Sequence, residues 1–439
     1  MLKFIKAFLI FVILYHILVT VFCYGIFGGQ YQEIFSLARD VIWIGFIFVA
    51  AISQRTQCKA FLRTRKYPLI AFWVLLVFWM VISKVIGKGW SDIFIGIKYG
   101  VWYLWILFSA GFVWYDLAYN KKHTSLEKFL NYALYTLVII VIIGFFWQFA
   151  KLIFPNFFTW IGYGPLDDFA YGVKPPLYYL TGYEWTLRRQ GIFAGPNNYG
   201  YFLVAFLPIV IMFFKTKISW IRSILKDRCA LINSLIIGLW LAAIVLTLSR
   251  SAIAWMMVVV ILMFRKRIQK HRKIFIWILV VCILWLVGLS LLKGTSTLAH
   301  IANKFSSLSY VINQPLGYGL GSSGPAIHHN GSILPENYFI QLMIDIGTVG
   351  FLMWIFVVSQ LGAITRALRK FENSSMIYSV RKWLTIGRIA LLIMWMFLHV
   401  FEDSMVNYLF FILRGITTWY LSYGLKGVKI GLRDFWKKK

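Results

Sequence analysis

The sequence predicts an all-α, polytopic integral membrane protein with about 12 transmembrane helices and two long extracytoplasmic loops. Three observations predict it. Of the 439 residues, 60% are hydrophobic and only 14% are charged, with a mean hydropathy of +0.75, whereas soluble domains carry roughly a quarter charged residues. Apolar runs long enough to cross about 30 Å of hydrocarbon recur from end to end. Lys and Arg are abundant in alternate gaps between those runs and sparse in the others, the pattern that positive-inside insertion leaves.

The first run, 4–27, follows Lys3 and Lys6 and reads as an uncleaved span, being too long for a signal sequence and lacking a small-residue cleavage site. Further spans fall at 36–53, 68–86, 92–117 and 129–153. After a long loop, 154–194, come 195–214, 231–248 and 251–264, the last two divided only by Ser249-Arg250. A ninth span at 274–292 leads into a second long loop, 293–337, and the chain ends with spans at 338–361, 384–401 and 404–423. With the N-terminus inside, the inner gaps hold Arg55 to Lys66, Lys215 to Arg228, Arg265 to Lys273, Arg366 to Lys382 and the tail Lys437-Lys438-Lys439. The outer gaps hold Glu33, Asp92, Asp167, Asp168, Glu184, Glu336, Glu402 and Asp403, so both termini are expected in the cytoplasm. The whole chain, 1–439, reads as a single transmembrane domain whose two long outer loops are ordered and handle substrate.

The formal charge of +30 would point to nucleic acid on a soluble chain. Here it lies in short gaps beside anionic lipid headgroups, so membrane lipids and not nucleic acid are the expected partners. Cys23, Cys58, Cys229 and Cys282 are widely spaced, with neither CxxC pairing nor His-Cys ligand spacing. No disulfide and no zinc site are expected.

Candidate functional residues gather on the outer side. Arg188 and Arg189 run through Gly191 into Pro196-Asn197 at the entrance of the sixth span. An arginine fork beside a helix N-terminus suits phosphate oxygens; lipid-anchoring arginines are the alternative. In Thr247-Leu248-Ser249-Arg250, the arginine is flanked by apolar spans on both sides and calls for a polar cavity or an anionic partner, unless it is a plain interfacial turn. The second loop carries His300 and a glycine-rich run from Pro315 to Pro325, either a backbone nest for an anion or a set of turns, and no P-loop. Glu336-Asn337 stands directly before the tenth span. A carboxylate partly buried there suits proton abstraction, and capping of the helix is the alternative. Lys98 and Asp345 lie inside spans, as functional groups or as internal polar contacts. His328 and His329 receive no role.

Over about 185–360 the chain resembles the O-antigen ligase and polymerase superfamily of bacterial surface polysaccharide assembly. Four motifs carry the resemblance in order: Arg188-x-x-Gly191 with Pro196-Asn197; Thr247-x-Ser249-Arg250; His300 with Pro315-Leu316-Gly317-x-Gly319-x-Gly321; and Glu336-Asn337 followed after nine residues by Gly347-x-x-Gly350. Ala299 stands where one branch has Gly, and Glu336 stands where the lipopolysaccharide ligases have His, as in many polymerase-like members.

The resemblance implies an inverting glycosyltransferase in the bacterial plasma (inner) membrane, working on the extracytoplasmic face without nucleotide sugar, cofactor or metal. It would move a glycan from an undecaprenyl diphosphate-linked donor to a hydroxyl of a glycan or lipid-linked acceptor, beside polysaccharide assembly proteins. Arg188, Arg250 and Arg189 would bind the diphosphate, with Asn197 and Asn337 as further substrate contacts. Glu336 would deprotonate the acceptor hydroxyl, and His300 would contact phosphate or serve as an alternative base. The rival class is a transporter, such as a flippase for the same lipid-linked glycan; a third is a scaffold in an assembly complex.

Overall fold

The computed structural model describes residues 2–27, 32–53, 66–116, 126–165, 174–180, 187–193, 195–215, 228–270, 294–324, 335, 337–367, 375–394 and 404–423, together with positions 276, 280, 284 and 288. Those residues are almost entirely helical, in agreement with the all-α expectation. In chain order the helices are α1 (Leu2–Val19, continued by a π-helical segment Thr20–Ile26), α2 (Gln32–Ser53), α3 (Lys66–Val85), α4 (Trp90–Gly100) and α5 (Trp102–Trp114). They continue with α6 (Leu126–Ile153), the short α7 (Pro155–Trp160), α8 (Pro196–Lys215), α9 (Arg228–Leu246) and α10 (Arg250–Lys270). The last four are α11 (Gly294–Asn313), α12 (Tyr338–Ala367), α13 (Ser375–Met394) and α14 (Ser404–Tyr423). One two-stranded antiparallel ribbon, β1 (Tyr179–Leu180) with β2 (Leu187–Arg188), lies between α7 and α8.

The expected count of 12 spans needs correction. Among the described residues, three stretches are long and apolar enough to cross a membrane: Lys128–Ile153, Pro196–Phe213 and Tyr338–Ser359. Two bent pairs raise the number to five if each is one span: Lys6–Tyr15 with Ile17–Ile26, bent by 59°, and Trp90–Gly100 with Trp102–Trp114, bent by 62°. Hydropathy averaged over a window reads straight through such bends, even where His16 stands at the first of them. At Val101, φ of −132° and ψ of −7° end α4 and start α5 with no polar residue to mark the place. Ile70–Val85 and Leu231–Leu246 are apolar but short, and the end of α10 is the basic run Arg265-Lys266-Arg267. The expected spans 274–292 and 384–401 fall largely or partly outside the described residues. Membrane residence rests on these few helices.

Helix α8 is the axis of the molecule. Its apolar stretch is 89% buried, against 50% for that of α6 and 44% for that of α12. Phe202, Leu203, Val204, Ala205, Phe206 and Leu207 are all fully buried, as expected of a helix that is hydrophobic on every side. It is packed by α9, α10, α13 and α14. Gly387 of α13 lies so close to the Ala205 carbonyl that a Cβ would collide with it, the close backbone approach that small residues allow between apolar helices. Helix α14 in turn runs along α5, where Trp102 donates to the Tyr408 hydroxyl (2.9 Å) and the Tyr103 and Phe411 rings meet at 4.8 Å.

Candidate functional site: an arginine junction at the head of the central helix

The site grows from the C-terminus of α9. The last turn of a helix leaves carbonyls without intrahelical partners and carries partial negative charge. Here β2 and the residue after it cross that end: the Arg189 amide donates to the Leu246 carbonyl (2.9 Å), and Arg188 Nε donates to the Thr247 carbonyl (3.0 Å). Arg188 Nη2 also donates to Asn197 Oδ1 (2.8 Å), and the arginine is only 9% exposed. One side chain thereby joins the end of α9 to the start of α8, where Pro196 is the first helical residue, the position that suits proline.

The turn from α9 to α10 is held as tightly. Thr247 Oγ donates to the Ile244 carbonyl (2.7 Å) and accepts from the Ser249 amide (3.2 Å). Leu248 has φ of +49°, a left-handed conformation that a branched residue adopts at a cost of roughly 1–2 kcal/mol. Ser249 Oγ receives the Ala252 amide (3.4 Å) at the start of α10, and Ser251 Oγ lies 2.9 Å from the Tyr201 hydroxyl of α8. Arg250 is the first residue of α10, partly exposed, three residues beyond the carbonyl that Arg188 binds. Arg188, Arg189, Asn197 and Arg250, expected to bind substrate, thus come together at one junction. Gly191 explains the Arg-x-x-Gly spacing: φ is +56°, and a Cβ would lie 3.2 Å from the Tyr199 ring.

Sequence reasoning missed the residues beneath the junction. The Gln190 amide donates to Gln148 Oε1 (3.3 Å), and Gln190 Nε2 donates to the Pro176 carbonyl (2.9 Å). Lys151, fully buried, places Nζ 3.5 Å from that carbonyl and 3.9 Å from the centre of the Tyr163 ring. The available signal was Gln148 and Lys151 close to the end of a largely apolar run. Arg39 and Asp40 were missed in the same way. Asp40 Oδ1 lies 3.4 Å from Arg39 and accepts the Tyr408 hydroxyl (2.5 Å), while Oδ2 lies 3.6 Å from Lys98 Nζ. This is the internal charge pair that was one of the two expectations for Lys98.

The glycine-rich loop and α12 form a second polar group. Gly347 (φ +68°, ψ +173°) breaks α12 from within. A continuous helix would bond the Thr348 amide to the Ile344 carbonyl. Instead the Tyr318 amide donates to Ile344 (2.7 Å) and Thr348 donates to the Pro315 carbonyl (2.8 Å), so the loop is spliced into the gap. Near the end of the run Ser323 Oγ donates to Asp345 Oδ1 (2.7 Å), so the loop also meets α12 through the protein's own carboxylate. Leu320 is tied to α3 through Ser83 Oγ (2.8 Å).

Asn337 caps α12, its Oδ1 accepting the amides of Phe339 (2.9 Å) and Ile340 (3.2 Å). The capping alternative therefore holds for the asparagine. Glu336 lies outside the described residues, and so does the side chain of His300, whose backbone belongs to α11. The described bonds tie Tyr338, beside Asn337, to the Gly100 carbonyl of α4 and Trp354 of the same helix to Tyr103 of α5, while the arginine junction is tied to α6, α8 and α9. No protein-family model, no curated protein and no solved structure matches this chain.

Proposed function

We propose that the protein is a membrane glycosyltransferase of the O-antigen ligase or polymerase kind, in a bacterial plasma membrane with both termini cytoplasmic. It moves a glycan from undecaprenyl diphosphate to an acceptor hydroxyl on the extracytoplasmic face. The observation that carries this reading is the junction: two motifs about 60 residues apart, Arg188-x-x-Gly with Asn197 and Thr247-x-Ser-Arg250, interlock through Arg188. That contact fixes the backbone that bears Arg189 and Arg250, and fixed cations lower a barrier more than mobile ones because no reorganisation is needed as charge develops.

In this reading Arg250 and Arg189 receive the diphosphate oxygens, with Arg188 and Asn197 completing the cationic wall. The acceptor oxygen attacks the anomeric carbon, the bond from that carbon to the phosphate oxygen breaks, and undecaprenyl diphosphate leaves with the electron pair. Glu336 takes the acceptor proton, with His300 as the alternative base or a phosphate contact, and Asn337 orients the start of α12 by capping it. Replacing Arg250 by Ala or Glu336 by Gln in a deletion strain, at normal membrane abundance, is expected to leave the surface glycan of the deletion itself. Wild-type glycan in both variants overturns the assignment.

The buried Arg39 and Asp40 with the half-buried Lys98 favour a second reading, a carrier for the same lipid-linked glycan, because charges within apolar helices mark transport pathways. Carriers move the substrate unchanged. Release of undecaprenyl diphosphate in detergent separates the two.

A further inference from the structure

Helix α11 presents three different faces, and their order around its axis points to where it lies. At about 100° per residue, Ser307 and Val311 fall on one side, and both are buried. Val311 packs there against Ile340 and Ile344 of α12. Turning onward, Phe305, Leu308 and Ile312 share an arc of about 60° and are exposed, Phe305 and Ile312 to 71% and 75%. The next arc of similar width holds Ser306, Ser309 and Asn313, also exposed. Ser306 and Ser309 bond back to backbone carbonyls of the helix itself. A helix in water alone would leave the first exposed arc unpaid, and a helix crossing a bilayer would strand the second. Adjacent apolar and polar arcs beside a packed one suit a helix lying at a boundary between the two phases.

Its place on α12 agrees. Ile340 and Ile344 stand two and six residues into the apolar span that starts at Tyr338, so α11 is docked within about 9 Å of the end of that span. Farther along the same span Val349, Leu352 and Phe356 are exposed, a strip that faces lipid if the span crosses the bilayer. Leu316, just beyond α11, is exposed as well.

We propose that α11 is an interfacial helix whose Phe305, Leu308 and Ile312 insert into the bilayer at its boundary with water while Ser306, Ser309 and Asn313 remain wet. The occupant of the apolar arc is lipid, continuous with the lipid around α12. This rests on the membrane reading and not on glycosyl transfer.

The test uses nitroxide labels in nanodiscs, in a background free of other cysteines, at Phe305→Cys, Ser309→Cys, Ile312→Cys and Asn313→Cys, with Leu352→Cys on α12 as the lipid reference. All four α11 positions are exposed, so the labels displace no packing. Collision with oxygen reports lipid and collision with a water-soluble nickel chelate reports water. The expected result is a severalfold higher oxygen-to-nickel ratio at 305 and 312, matching 352, with nickel dominant at 309 and 313. Nickel dominance at all four positions overturns the proposal while the 352 label still reports the membrane reading separately. Protection of 305 and 312 from both reagents, with short distances between labels, assigns the arc to a second copy and also overturns it.

Discussion

At the scale of single residues, Arg188 ties its own strand to two other segments with one guanidinium, and lysine cannot imitate it because an ammonium lacks the planar fork. Arg188→Lys is expected to lose one of the bonds to Thr247 and Asn197, and Arg188→Ala both. Leaving a buried acceptor unsatisfied costs about 1–3 kcal/mol. Both variants should therefore lower the thermal midpoint in detergent, Ala more than Lys. Arg250→Ala, at a partly exposed helix start, should leave the midpoint within about 1 kcal/mol of wild type in stability while transfer falls by about 100-fold or more. An Arg250→Ala protein that unfolds early and transfers normally would reverse the roles given to the two arginines. At the other polar group, Asn337→Ala is expected to destabilise α12 by about 1 kcal/mol and Asn337→Asp to be close to neutral, since aspartate caps equally well. Equal midpoints for the two variants would remove the cap from the account.

The elements show where local and long-range information part. Helices α6, α8, α12 and α14 begin and end within a few residues of the apolar runs expected for them, because a long uninterrupted run has one helical solution in lipid. The bend at Val101 and the π-helical segment after α1 have no such signature, since they are set by packing among equally apolar neighbours. Much of what the apolar runs left as a second loop is the 20-residue helix α11, whose many polar residues keep it from reading as a span. The glycine-rich run was legible, but its bond to Asp345 was not, for Asp345 comes 20 residues after the run ends at Pro325. The break in α12 gives a prediction: Gly347→Ala places a Cβ against the Leu316 and Pro315 backbone in a conformation costing about 1–3 kcal/mol for a residue other than glycine. Faster proteolysis between Pro315 and Gly324 is expected; an unchanged cleavage rate would show that the splice does not hold the loop.

For the whole molecule, the arrangement is a buried central helix with an arginine junction at its head, surrounded by helices that are bent and broken. The candidate site was readable to the extent that Arg188 bonds Asn197 and the Thr247 carbonyl, three residues before Arg250. The supports below them, Lys151, Gln148 and Gln190, needed the fold, because the partners of each come from other elements. The proposed topology predicts that a cysteine added near Lys174 is labelled by an impermeant reagent from outside the cell, and one near Lys437 only after permeabilisation. The opposite pattern would place the arginine junction in the cytoplasm, out of reach of a donor on the outer leaflet.

Glycosyl transfer is tested most directly with the purified protein in detergent, a lipid-linked oligosaccharide and an acceptor glycan, reading undecaprenyl diphosphate and elongated acceptor by mass spectrometry. Both products are expected in equal amounts from the wild type and neither from Arg250→Ala. A folded wild-type protein that binds the donor and leaves it intact would contradict glycosyl transfer and favour the carrier.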